Sequence, residues 1–229
     1  MHAWSRSYVR GIVIPRLVWA LLASAPLWAA DPDISKLLKR VEERYNHAQS
    51  LEVAFRESYT AQGRRRTESG QLYLRKPGRM RWEYTTPAGK LFVSDGKNVY
   101  FYSPDTNRAE KMKLKETEDM RAPMAFLLGR LDFHKDFKEF QAKPEGRGAI
   151  QITAIPKSDK LPYREVSFVV DETNSRISRL VVSGQDASVL EFEFSGEKLN
   201  APVADAQFRF EVPKGAEFVD ETASPEGAQ

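Results

Sequence analysis

Residues 70–104, GQLYLRKPGRMRWEYTTPAGKLFVSDGKNVYFYSP, constrain the fold of this chain more than any other stretch. Apolar and polar positions alternate along it, a period of two that fits strands half-buried in a sheet and does not fit a helix. Leu72 and Leu74 share a face of one strand, and Met80, Trp82 and Tyr84 share a face of the next. Leu91 and Val93 do so in a third, Val99 and Phe101 in a fourth. Each break carries turn chemistry. Lys76-Pro77-Gly78 combines a fixed φ with a residue that tolerates positive φ, Pro87-Ala88-Gly89 repeats the device, and Asp95-Gly96 is a strong hairpin signal. Four consecutive antiparallel strands are expected here.

The same period recurs on both sides. Leu51, Val53 and Phe55 mark an earlier strand, and a short one should end near Leu114. Later strands are marked by Ile150 and Ile152, by Val166, Phe168 and Val170, by residues 177–182, and by Leu190, Phe192 and Phe194. Phe208, Phe210 and Val212 suggest a last one. Two stretches read differently. Asp33 can cap a helix from Ile34, in which Leu37, Leu38, Val41, Tyr45 and Ala48 form one apolar stripe. Pro123 suits a first helical position before Met124, Phe126, Leu127 and Leu128, and Leu131, Phe133 and Phe137 extend that helical island. Residues 62–67, QGRRRT, read as a solvated hairpin tip or as a contact for an acidic partner. No composition shift divides the chain beyond its leader, so short strands at this spacing imply one sandwich or barrel domain.

The formal charge of +3 suggests a nucleic-acid partner only until it is located. Residues 1–30 contain Arg6, Arg10 and Arg16 and no acid, and the remainder carries 32 basic and 32 acidic residues. That neutral remainder argues against nucleic acid. The leader, basic and then apolar over residues 17–28, reads as a secretory signal peptide cleaved after Ala29 or Ala30, or else as an uncleaved membrane anchor. Cysteine is absent, which excludes disulfides, thiol chemistry and a lipid anchor on cysteine. The expected boundaries are a signal peptide over 1–30, one domain over 31–220, and a disordered tail over 221–229 that lacks apolar content.

Catalytic patterns are missing. His47 and His134 stand alone on expected helices without metal-ligand spacing. There is no nucleophile elbow, phosphate loop or glycine-rich nucleotide fingerprint, so neither an enzyme nor a cofactor or metal is expected. The aromatic content of 11% is concentrated on strands. By itself this fits an ordinary β core as well as a lined cavity.

The order G-x-L-x-x-basic-basic-P-G-R-x-R-W in residues 70–82, then V-S-D-G-K at 93–97, then an aromatic strand ending Y-x-P at 102–104, resembles the periplasmic lipoprotein carrier family, LolA. The likeness extends from the helix near Ile34 to FRFEVPKGAEFVD at 208–220. It implies a mainly β fold: an incomplete, strongly curved antiparallel barrel, a half-barrel, with a helical lid over an apolar cavity. It also implies a periplasmic, monomeric carrier that binds lipoprotein acyl chains released by an inner-membrane ABC transporter and delivers them to an outer-membrane receptor. A lipid-binding or envelope-stress sensor module of similar shape is the alternative. With strand parity, the resemblance places Met80, Trp82, Leu91, Val93 and Phe101 on the concave face and Met124, Phe126 and Leu127 on the lid. In the family an arginine directly before the first-corner proline hydrogen-bonds lid carbonyls. Here Lys76 holds that position, with Arg75 before it. Lysine brings three donors on a flexible stem where arginine brings a planar fork. Lys76 and Arg75 are therefore the expected latch, with Arg79 or Arg81 as substitutes, unless Lys76 is simply a turn residue in solvent.

Overall fold

A computed structural model describes residues 33–114 and 131–223. It opens with helix α1 (Ile34–His47), whose N-cap Asp33 accepts the Lys36 amide at 3.2 Å. Leu37, Leu38, Val41 and Tyr45 are buried along one stripe, and Lys36, Lys39, Arg40 and Glu43 are exposed. The strands follow: β1 (Ser50–Ala61), β2 (Arg64–Arg75), β3 (Arg79–Thr86), β4 (Ala88–Asp95), β5 (Asn98–Ser103) and β6 (Arg108–Lys113). A single turn of helix, α2 (Phe133–Asp136), leads into β7 (Phe137–Pro144), β8 (Ala149–Pro156), β9 (Tyr163–Asp171), β10 (Ile177–Gly184), β11 (Val189–Leu199) and β12 (Glu217–Asp220).

These strands form one sheet in the order β12-β6-β5-β4-β3-β2-β1-β11-β10-β9-β8-β7. Pairing is antiparallel except where β12 lies parallel to β6. Among the described residues no pairing joins β12 to β7, so the sheet is not closed. Register lines up one apolar face across it. Ile152, Phe168, Leu180 and Phe192 are successive cross-strand partners from β8 to β11, and Leu51, Leu74 and Met80 are partners from β1 to β3. Trp82, Phe92 and Phe101 continue the face through β5. It must be concave, because Met112 of β6 and Phe192 of β11 line one common hollow although five strands lie between them. At roughly 4.8 Å per strand a flat sheet would hold those rows nearly 30 Å apart.

Gly70 is one source of the curvature. It faces inward between Phe55 and Tyr84, and a Cβ there would lie 2.0 Å from the Glu83 carbonyl oxygen. With no side chain in the way, β3 closes in across a register shift and the rings of Phe55 and Tyr84 meet edge-on at 5.1 Å over the gap.

Four expectations need correction. Residues 208–212 are not a strand: Phe208 ends a 3-10 turn (Asp205–Phe208) that packs on the outer face of β3 and β4, and the last strand is β12. The expected helical island gives way at Phe137 to β7. Residues 64–67 of the basic loop belong to β2, with Gln62 and Gly63 alone forming the turn. Within the expected tail, Glu221–Ala223 form a 3-10 turn. The expected signal peptide, residues 1–30, and residues 224–229 lie outside the described residues.

Candidate functional site: a hollow on the inner face

Helices α1 and α2 cover part of the inner face. Phe133 of α2 packs on Phe168 with ring centroids 5.0 Å apart, and the stripe of α1 joins the same cluster. Beside them the face is hollowed into a cavity of about 400 Å³, within the range of small-molecule sites. Its described lining is Met80, Trp82, Phe92, Val99, Phe101, Met112, Leu190 and Phe192, with Glu57, Arg66, Tyr84 and Lys90 at one end and Glu110 beside Phe101. Trp82 is fixed between Phe55, at 4.7 Å, and Phe192, at 5.7 Å. Phe92, Phe101, Met112 and Leu190 are only half-buried, apolar surface that a guest would cover.

Met80, Trp82 and Phe101 thus line the hollow. Leu91 and Val93 do not: cross-strand pairing places Phe92 opposite Trp82, so Leu91 and Val93 face outward, opposite Tyr102 and Tyr100. Parity misled because Leu91-Phe92-Val93 is apolar on both faces, and the outer face is itself covered. Phe210 stacks on Tyr100 at 5.1 Å, and Phe208 and Val203 are buried. Phe92 and Met112 were missed; pairing Phe92 with Trp82 across the turn would have found the first. Met124, Phe126 and Leu127 lie outside the described residues.

The polar end is electrostatically tight. Lys90 pairs with Glu68, whose side chain is 6% exposed, and Arg66 reaches Glu68 at 3.2 Å. The Lys90 ammonium also lies 4.2 Å from the Tyr84 ring centroid. Glu57 accepts the Tyr84 hydroxyl at 3.3 Å. Burial, and then the neighbouring Glu68 charge, push the Glu57 carboxyl above the usual carboxylate range. The same two causes in kind, burial and then Glu57, push the Tyr84 hydroxyl up. Among the described residues no group of His, Asp and Glu is arranged to hold a metal ion.

Lys76 stands at the other end, against α1. Its ammonium donates to the carbonyls of Tyr45 at 3.1 Å and Asn46 at 2.6 Å. These belong to the last turn of the helix, where carbonyls lack intrahelical partners and the macrodipole favours a cation. Partial burial pulls the Lys76 ammonium below its ordinary pKa. Further bonds hold the same turn. The Tyr45 hydroxyl donates to Glu197 at 2.7 Å and accepts the Ile177 amide at 2.9 Å, Arg44 pairs with Glu197, and Asn46 brackets Leu131 through its amide and carbonyl. Arg75, Arg79 and Arg81 sit elsewhere. Arg75 donates to the Val203 carbonyl at 2.9 Å, Arg81 to that of Gln207 at 3.2 Å, and Arg75 and Arg79 both pair with Asp205. The three guanidinium groups strap residues 203–207 to the outer face.

An unclosed, curved sheet with a helix across part of its apolar inner face and a cavity in the rest is a binding fold. Residues 46–211 match the family model for the outer membrane lipoprotein carrier protein LolA. The chain belongs to this family. It is 28% identical to the outer-membrane lipoprotein carrier protein of Sodalis glossinidius over 207 residues, 89% of this chain and 95% of that one. It is 30% identical to that of Pseudomonas putida over 210 residues, 90% and 97%. Solved structures are more distant. An uncharacterized conserved protein from Thermus thermophilus aligns with a TM-score of 0.49 and 16% identity over 82% of this chain and 98% of that one. A LolA superfamily protein from Nitrosomonas europaea aligns with 0.43 and 12% over 77% and 97%.

Proposed function

We propose that this chain is a periplasmic carrier that shelters the acyl chains of lipoproteins in its hollow, taking them from an inner-membrane transporter to an outer-membrane receptor without making or breaking a bond. The observation that carries this reading is the cavity of about 400 Å³ lined by half-buried Phe92, Phe101, Met112 and Leu190. The carrier names of relatives aligned over nearly the whole chain support the same reading.

The energetics call for a covered site. Burying an acyl chain of ~15 methylenes at roughly 0.8 kcal/mol each is worth about 12 kcal/mol, enough to make release impractically slow. If part of the inner face is already covered by the protein's own apolar residues, loading must first displace them. Net affinity then becomes the difference between two burials, and cargo can pass to a receptor with a better balance. In this reading Lys76 is the latch, holding the last turn of α1 through the Tyr45 and Asn46 carbonyls.

Native mass spectrometry of the protein purified from periplasm tests the function. Bound lipoprotein is the expected result. A ligand-free protein that also fails to release lipoproteins from inner membranes would overturn it.

A further inference from the structure

The hollow is not uniformly greasy, and its polar residues are ordered. On the inner face Glu57 of β1, Arg66 and Glu68 of β2, Tyr84 of β3 and Lys90 of β4 form a polar row across one end, and Glu110 of β6 stands deeper, level with Trp82, Phe92 and Phe101. Met80, Val99 and Met112 lie toward the other end. Arg66, 67% exposed in its side chain, marks the polar end as the one facing water. Charges in a sheet's inner face cost stability unless they are matched, so their pairing is informative.

Both cations are committed: Lys90 to Glu68 and the Tyr84 ring, Arg66 to Glu68. Glu110 is answered by Arg108 at 2.7 Å. Glu57 differs. Among the described residues its side-chain donor is the Tyr84 hydroxyl at 3.3 Å, and it faces Glu68 across the strand pair. The row therefore has an acceptor to spare and no cation to spare.

Resting on the carrier reading, we propose that this row is a head-group subsite, in which Glu57 accepts N–H donors from the amide-bearing head of an acylated peptide while its tails run toward Met80 and Met112. A phosphate head is disfavoured at the same place, since it would meet Glu57 and Glu68 with the nearby cations already paired. Displacement of the Tyr84 hydroxyl, or a share in its bond, gives the incoming amide a carboxylate partner away from bulk water, where such bonds are strong. Burial, and then the Glu68 charge, raise the Glu57 carboxyl, and an N–H donor brought to it would oppose that shift.

Two amphiphiles with the same twelve-carbon tail separate head from tail: N-dodecanoyl-glycinamide, which offers N–H donors, and dodecyl phosphate. Their dissociation constants are measured by displacement of a fluorescent apolar probe at neutral pH. The wild type should prefer the amide head by about tenfold, the scale of one hydrogen bond to a charged group. Glu57→Leu should bring the ratio close to one. Glu57→Gln, which keeps the shape and removes the charge, should narrow it, and it secures the test if the leucine variant folds poorly. A ratio unchanged in both variants, or a wild type that binds both heads equally or the phosphate more tightly, overturns the head-group subsite and leaves the tail cavity standing. A wild type that binds neither amphiphile overturns the carrier reading itself.

Discussion

Lys76, the proposed latch, meets the end of α1 with chemistry that a guanidinium would not share. Its ammonium is a compact charge on a flexible stem, and it reaches two adjacent carbonyls, of Tyr45 and Asn46, that the geometry of a helix end leaves open. Removing it should cost each carbonyl a charge-assisted bond, about 1–3 kcal/mol. Lys76→Leu is expected to raise the amide exchange rate in the last turn of α1 (Ile34–His47) and to change the rate of cargo transfer to an outer-membrane receptor. Lys76→Arg should restore both. Unchanged exchange and unchanged transfer in the leucine variant would remove Lys76 from the latch. The position was legible in the sequence through the resemblance, because the residue before the first-corner proline could be counted. The partners were not, since nothing local joins Lys76 to residues thirty positions earlier. The separate work of Arg75, Arg79 and Arg81 was hidden for the same reason: the segment they hold, residues 203–207, lies more than a hundred residues downstream.

At the scale of elements, β2 and β3 make the bend that the hollow needs, and Gly70 is where they come closest. A methyl group 2.0 Å from the Glu83 carbonyl oxygen cannot be accommodated by a rotamer change, since the obstacle is backbone. Gly70→Ala should therefore destabilise the protein by roughly 1–3 kcal/mol, as overpacking does, and weaken binding of any apolar probe in the hollow. Denaturant unfolding and probe titration check both; wild-type values for each would show that the approach of the strands is not limiting. Alternation located β2 to β5 and β8 to β11 well, because their inner faces are apolar and most of their outer faces are not. It failed where that contrast vanished. In β4 the outer face is covered by the strap from residues 203–210, so Leu91 and Val93 looked like lining and are not. In β7 the register shifts between Lys138 and Gln141, with Glu139 at φ +56°, and the period of two is interrupted. Phe208, at the end of a 3-10 turn, and Phe210, just beyond it, are both pinned to an outer face without any strand pairing.

Taken whole, the molecule uses one apolar face for two purposes. One part, where α1 and α2 meet the buried residues of β1 to β3 and β8 to β11, is filled as a conventional core, and another, reaching from β11 round to β6, keeps a hollow whose apolar lining meets water at a polar end. A mainly β chain with a surplus of strand aromatics was legible from composition and period. That some of the aromatics line space rather than fill it was not, since a core and a cavity wall use the same residues and differ only in what lies opposite. The central claim is that acyl chains occupy that space. Photo-crosslinking in periplasm tests it most directly, with benzoylphenylalanine placed at Phe101 on the inner face and, separately, at Tyr102 on the outer. The account predicts lipoprotein adducts from position 101 and none above background from 102; adducts from both alike, or from 102 alone, would contradict it.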